Sequence, residues 1–180
     1  MTTNHRLNLY LIGFRGSGKT TIGPLVANIL GVVFLDLDEL VQLREKLTIA
    51  EIFSNSGEIH FRKLERDQLE QVSQSPNQVI ACGGGIVLSS ENCNCLKNNG
   101  QCIWLKASAS FLATRIEEDS VTARTRPQLT RYGGILEIEH LLAVREPLYA
   151  ECADYSIWVE NRTAEDLATE IANWARKVDK

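Results

Sequence analysis

The residues whose types and spacing speak most directly of chemistry are Gly13-Phe14-Arg15-Gly16-Ser17-Gly18-Lys19-Thr20. They fit the pattern G-x-x-x-x-G-K-[ST], which cradles the phosphates of a nucleotide. Three glycines keep side chains clear, so that successive backbone N–H groups can wrap phosphate oxygens, and a helix opening at Lys19 adds the positive end of its dipole. Lys19 would reach the β- and γ-phosphates, and the Thr20 hydroxyl would ligate Mg2+. Gly13, Gly16, Ser17, Gly18, Lys19, Thr20 and Thr21 are therefore the candidate nucleotide contacts. The N-K-x-D signature of common GTPases does not occur in the chain. The motif by itself implies a nucleotide without specifying a reaction.

Two carboxylates follow in Asp36-Leu37-Asp38, at the predicted C-terminal end of a strand. If that strand continues, a side-chain period of two puts both on one face. One could help hold Mg2+ through water, and the other could orient or deprotonate a substrate hydroxyl. The competing reading is that Asp38 caps the next helix. Gly83-Gly84-Gly85 closes another strand at the same edge and carries no carboxylate, so its N–H groups could serve a substrate; a tight turn is the alternative. Arg62 lies four residues from both Glu58 and Arg66, which fits a solvated ion-pair row. Its planar guanidinium equally suits a two-bond clamp on a carboxylate, and the pattern leaves both readings open. Arg124, Arg126 and Arg131 lie in a polar stretch without periodicity, residues 119–134, which reads as a lid or binding loop. An arginine there could close on the charge that develops in phosphoryl transfer, and charge alone supports such a role for one of the three.

The elements that must position these groups alternate. Apolar runs at residues 7–12, 32–35, 78–82, 102–106 and 155–159 read as strands. Helices are expected over residues 19–30, from the capping box at Thr48-Ile49-Ala50-Glu51, over residues 57–72, 108–118, from about Ile135 with a break or kink at Pro147, and from the cap Thr163 to about Lys177. On the helix over 57–72, Ile59, Phe61, Leu64, Leu69 and Val72 fit one broad apolar face. The pattern predicts an α/β fold of three layers, a parallel sheet with helices on both faces. One domain over residues 1–180 is expected, with a substrate-binding segment near 37–72 and the lid near 119–134.

Bulk properties exclude several classes. A net charge of −4 with no basic run argues against a nucleic-acid partner, and no apolar stretch approaches the length of a membrane span. The five cysteines, an odd number, match no zinc spacing, and Cys93-Asn94-Cys95 finds no second pair to complete a metal site. Reduced thiols in a cytoplasmic protein without a leader are expected. The three histidines are isolated and read as ordinary residues.

Taken in order, these pieces resemble the shikimate kinase family. The likeness runs from Leu7 to about Trp174 and rests on Gly13 to Thr20, Asp36-Leu37-Asp38, the run Gly57-Glu58-Ile59-His60-Phe61-Arg62-Lys63-Leu64-Glu65, Gly83-Gly84-Gly85, Arg126-Pro127 and Arg145-Glu146-Pro147-Leu148-Tyr149. The resemblance implies a central five-stranded parallel sheet, as in nucleoside monophosphate kinases, and transfer of the ATP γ-phosphate to a shikimate hydroxyl, with Mg2+. It implies that Arg62 and Arg145 hold the substrate carboxylate, that Asp38 binds ring hydroxyls and positions the attacking one, and that Gly84 contacts substrate. It also matches Asp36 to an acidic residue near Mg2+, Arg126 to a lid contact on the ATP phosphates, and Arg162 to a late nucleotide contact. Lys19, Asp38 and Arg126 would then be the catalytic groups, and Gly83 and Gly85 would flank the substrate with Gly84. Two departures are visible. The lid reads Arg126-Pro127-Gln128-Leu129 where many members have Arg-Pro-Leu-Leu, and the stretch from Arg115 to Arg126 is longer than usual, with Arg115 as the candidate adenine contact. A monomer binding shikimate and ATP is expected. A kinase for another sugar acid such as gluconate, a nucleoside monophosphate kinase and a nucleotide-binding regulator without activity are the rival readings.

Overall fold

In the computed structural model, residues 8–118 and 134–178 are described. The strands are β1 (Asn8–Ile12), β2 (Val33–Asp36), β3 (Gln78–Ala81), β4 (Gly100–Lys106) and β5 (Tyr155–Trp158). They form one sheet in the order β2-β3-β1-β4-β5, and each neighbouring pair is parallel. The helices are α1 (Lys19–Leu30), α2 (Leu37–Glu45), α3 (Ile49–Ser73), α4 (Ser90–Asn99), α5 (Ala109–Glu118), α6 (Gly134–Cys152) and α7 (Ala164–Val178). A short 3-10 turn spans Ile86–Leu88.

Both faces of the sheet are covered, and the strands show it residue by residue. Leu9 and Leu11 of β1 enter one core cluster with Ile22 and Val26 of α1 and Leu167 and Ile171 of α7. Tyr10 and Ile12, one residue out of phase, enter a second cluster with Leu69 of α3, Leu96 of α4 and Tyr149 of α6. That alternation is the pleat at work, and it explains why these strands read as continuous apolar runs. The one polar atom that Tyr10 takes inside, its hydroxyl, hydrogen-bonds Ser73 Oγ at 2.7 Å. A smaller cluster of Val41, Ile49, Ile52, Phe61 and Leu64 joins α2 to α3 beside the sheet.

Several local expectations hold and several change. Thr48 caps α3 with the reciprocal box to Glu51, and Gly31 ends α1 in the left-handed conformation. Gly57 (φ 77°, ψ 172°) interrupts α3 where the sequence suggests two helices. Pro147 does not break α6, which continues through it to Cys152. Its missing N–H leaves only one carbonyl of the preceding turn to satisfy. Ile59 is 90% exposed and does not belong to the apolar face of α3; it lies just after the Gly57 interruption, where the helical phase is reset. The strand ending at Asp36 does not continue, because α2 begins at Leu37. The expected lid over 119–134, with Arg124, Arg126 and Arg131, lies outside the described residues except for Gly134.

Candidate active site

The phosphate loop follows β1. Gly13, Gly16 and Gly18 hold φ of 139°, 82° and 93°, a region that side chains disfavour. Gly18 is the N-cap of α1 and offers no side-chain cap. The first turn therefore presents backbone donors of the kind that bind phosphate. Lys19 is nearly buried, and its ammonium arches back over the loop, donating to the carbonyls of Gly13 and Phe14 at 2.8 Å each and to Ser17 Oγ at 3.3 Å. It is thus held at the mouth of the cradle.

Asp36 ends β2 beside this loop. Its Oδ2 accepts from the Thr20 hydroxyl at 2.8 Å, and its Oδ1 accepts from the backbone N–H groups of Asp38 and Glu39 at 2.9 and 3.3 Å. Asp36, and not Asp38, is therefore the helix cap, which corrects the capping alternative. Asp38 is the second residue of α2, within its first turn, and is 8% exposed. The two carboxylates are brought together by a strand-to-helix turn and not by strand alternation. The Thr20 hydroxyl and the Asp36 carboxylate make an all-oxygen pair of the kind a hard divalent cation takes. Residues here fit Mg2+.

Gly16, Gly18, Lys19, Thr20, Thr21, Asp36, Asp38 and Gly84 line one cleft of about 320 Å3 with Arg15 and Arg115. A second hollow of about 330 Å3 shares Gly18, Thr21 and Arg115 with it and adds Phe111, Val159 and Arg162. The Arg115 guanidinium lies 5.2 Å from the Phe111 ring centroid. Arg162 pairs with Glu170 at 2.7 Å on the rim of that hollow. Arg126 lies outside the described residues, so the catalytic trio of the sequence is located for Lys19 and Asp38 only.

On the other side of Asp38 is a third hollow, lined by Arg15, Asp38, Phe61, Arg62, Glu65, the three glycines Gly83 to Gly85, and Arg145. Arg62 is fixed by two acids: Nη1 bonds Glu65 at 2.9 Å and Nη2 bonds Glu58 at 3.0 Å. The surface ion-pair reading thus holds for Glu58, while Glu65 is 1% exposed and pulls the guanidinium inward. Arg145, 6% exposed, donates from Nη1 to the Gly84 carbonyl at 3.2 Å. The Tyr149 hydroxyl donates to the same carbonyl, and the Phe14 ring lies 5.5 Å from the Arg145 guanidinium. The glycine run is needed for close approach. A Cβ on Gly83 would stand 2.5 Å from Glu65 Oε1 and 2.9 Å from Asp38 Oδ1, and one on Gly85 would run into the Arg62 guanidinium. The turn reading is also true, since Ile86 N–H closes on the Gly83 carbonyl at 3.1 Å.

Sequence reasoning missed Glu65. Burial pushes its carboxyl up to about 7 against the pull of Arg62, with Asp38 adding to the rise. Its Oε1 has no hydrogen-bond partner among the described residues. The available signal was its position three residues after Arg62 on one helix. Arg15, tied to Glu137 of α6 at 3.5 Å, was also passed over as a variable position of the loop motif.

The shikimate kinase family model matches residues 15–176. The chain belongs to the shikimate kinase family. A shikimate kinase of Rhodopirellula baltica is 40% identical over 91% of this chain and 88% of its own. Shikimate kinase 2 of Photorhabdus laumondii is 46% identical over 83% of this chain and 84% of its own. The solved structure of the shikimate kinase from Acinetobacter baumannii in complex with shikimate superposes with a TM-score of 0.89 at 32% identity, covering 96% of this chain and 94% of that one. The activity is that of the family: an ATP-binding transferase of the shikimate pathway with shikimate kinase activity. The five-stranded parallel sheet is the shikimate kinase P-loop fold.

Proposed function

We propose that the cleft and the third hollow hold the two substrates of a direct transfer, ATP to the 3-hydroxyl of shikimate, and that they meet at Asp38. The observation that carries this reading is that Asp38, with Arg15 and Gly84, lines both spaces. A carboxylate at that junction is within reach of a hydroxyl facing the phosphates. ATP phosphates lie on Gly13 to Thr21, and the adenine lies in the second hollow beside Arg115, with Arg162 at its rim. Arg62 and Arg145, which line the same hollow, hold the substrate carboxylate, both already anchored by protein bonds, so little orientation is lost on binding.

Asp38 accepts the hydrogen bond of the attacking hydroxyl, sets its line of approach, and takes its proton as the bond to phosphorus forms. Lys19 leaves its carbonyl partners for the β- and γ-phosphate oxygens and offsets their charge. Arg126 adds a second positive charge from residues 119–134. Thr20 and Asp36 would hold Mg2+, which when bound neutralises charge on the β- and γ-phosphates. One domain acting as a cytoplasmic monomer completes the reading; a single continuous sheet supports the first part, and no described helix is long and apolar enough to cross a membrane.

Release of ADP from MgATP, followed on shikimate, quinate, gluconate and AMP, tests the acceptor. Turnover on shikimate with little on the others is expected; preference for gluconate or AMP would reassign the third hollow. Asp38→Asn is expected to bind ATP normally and to lose roughly 10²- to 10⁴-fold in kcat. Undiminished turnover would remove Asp38 from the chemistry.

A further inference from the structure

Outside the substrate spaces, three thiols converge where α4, β4 and the end of α6 meet. The Cys152 thiol neighbours those of both Cys93 and Cys102 and interacts with each. All five cysteines are free, and these three pack in or against the same core cluster. Cys95 is directed elsewhere, toward Ser73 Oγ on α3 at 3.6 Å. Cys102 is fully buried, and its backbone is clasped by Asp154 on both sides, N–H to carboxylate at 2.8 Å and carbonyl to N–H at 2.9 Å. Cys93 is half-buried on a surface helix, and its thiol also donates to the Val87 carbonyl at 3.5 Å. An interior strand paired on both sides, as β4 is with β1 and β5, yields less readily than a short surface helix.

We propose that Cys93 and Cys152 form an oxidisable pair, closed to a disulfide by a hydroperoxide, and that closure weakens action on shikimate. The Cys102 and Cys93 thiols and the Lys97 ammonium lower the Cys152 thiol against its own burial, while burial and the Cys152 thiol push the Cys93 thiol up. Cys152 is thus the nucleophile. Its thiolate attacks one peroxide oxygen, the O–O bond breaks, and the departing oxygen leaves with a proton as water or alcohol. Cys152 becomes a sulfenic acid. The Cys93 sulfur then attacks the Cys152 sulfur, and hydroxide leaves with the Cys93 proton as water. Two electrons have passed from the sulfurs to the peroxide. Cys152 is only 2% exposed, so the oxidant must be small enough to pass half-buried Cys93.

The functional arm rests on the reading of Arg145 as the carboxylate clamp. Arg145, Tyr149 and Cys152 succeed one another at spacings of four and three along the buried side of α6. Cys93 is held to Val87, three residues beyond the Gly84 carbonyl that receives Arg145 and Tyr149. Drawing the two sulfurs to the roughly 2 Å of a disulfide shifts α4 or the end of α6. Either movement disturbs the register between Arg145 and Gly84.

The test treats the full chain with hydrogen peroxide and follows intact mass, a non-reducing peptide map and kinetics. A loss of about 2 Da and a Cys93–Cys152 linked peptide are expected. The kcat/KM for shikimate should fall on the order of tenfold or more, as a small misplacement of a binding group does, and dithiothreitol should restore it. Cys93→Ser, on the surface helix, should keep basal activity and resist peroxide, Cys95→Ser should remain sensitive, and Cys152→Ala supplies a second resistant variant. Five thiols still titrating, a link between other cysteines, only oxygen additions of about 16 Da or multiples, equal inactivation of Cys93→Ser, or a disulfide without kinetic effect would each overturn the proposal. Arg145→Ala in the reduced protein separates the two readings: an unchanged shikimate KM there defeats the clamp, whatever the mass shows.

Discussion

At the scale of single residues, the buried carboxyl of Glu65 joins structure to pH dependence. It is pressed between the Arg62 guanidinium, which favours its anion, and burial with Asp38 nearby, which favour its acid. Burial wins, and its folded value of about 7 lies above the ordinary 4.5. The folded protein therefore holds a proton that the unfolded chain releases between these values. The stabilisation linked to that proton is fully present below about pH 4.5 and is lost as pH rises through about 7. Glu65→Gln carries no such proton. Thermal melting of both forms without substrates, from pH 5 to 8, should show the parent losing stability relative to Glu65→Gln as pH rises. A relative gain would mean that the Arg62 pair outweighs desolvation. Glu65→Gln should also loosen Arg62, one of whose bonds would then be to a neutral amide, and raise the shikimate KM.

At the scale of elements, the site is made by ends: the loop after β1, the Asp36 cap between β2 and α2, and the glycine turn after β3. Gly85 shows how closely these ends fit. Its φ of −104° and ψ of 5° are open to alanine, so Gly85→Ala meets no left-handed penalty. The added Cβ falls on the Arg62 guanidinium instead. The expected outcome is a shikimate KM raised about tenfold or more, the ATP KM little changed and the melting temperature nearly kept, read by steady-state kinetics and calorimetry. An unchanged shikimate KM would detach Arg62 from the substrate. This fit was only partly legible in the sequence. The loop motif, the apolar runs of the strands, the Thr48 box and the Gly31 stop depend on neighbours within a few residues, and local pattern carries them, whereas the order of the strands in the sheet does not show there. The residues Glu65 and Tyr149 depend on contacts across the fold, with Asp38 and Gly83 in one case and Gly84 in the other. The shape of the α2 start was missed because aspartate serves strand end, cap and catalyst alike, and only the 2.9 Å bond to Asp38 N–H decides among them. The α4 segment, Ser90–Asn99, is so polar that its helical period does not show.

At the scale of the whole molecule, β1 is the central strand of the described sheet and feeds the phosphate loop, so stability and nucleotide binding share a support. Leu11 is fully buried in the cluster with α1 and α7, two residues before Gly13. Leu11→Ala removes three carbons from a packed site and should cost about 2 to 5 kcal/mol. For a domain of this size that lowers the melting temperature by roughly 4 to 20 °C. Nucleotide at about 100 times its dissociation constant returns about 2.7 kcal/mol to any form whose folded loop binds normally. If the loop takes its shape from its own glycines and from α1, MgATP at matched saturation should stabilise parent and variant by the same free energy. Calorimetry with and without MgATP, at matched multiples of each dissociation constant, reads that quantity. An intact affinity with an equal shift would assign the loop geometry to local backbone preference. A weakened affinity would show that the packing of β1 against α1 and α7 also holds Gly13 and Lys19 in register for the phosphates, so that the core is part of the nucleotide site.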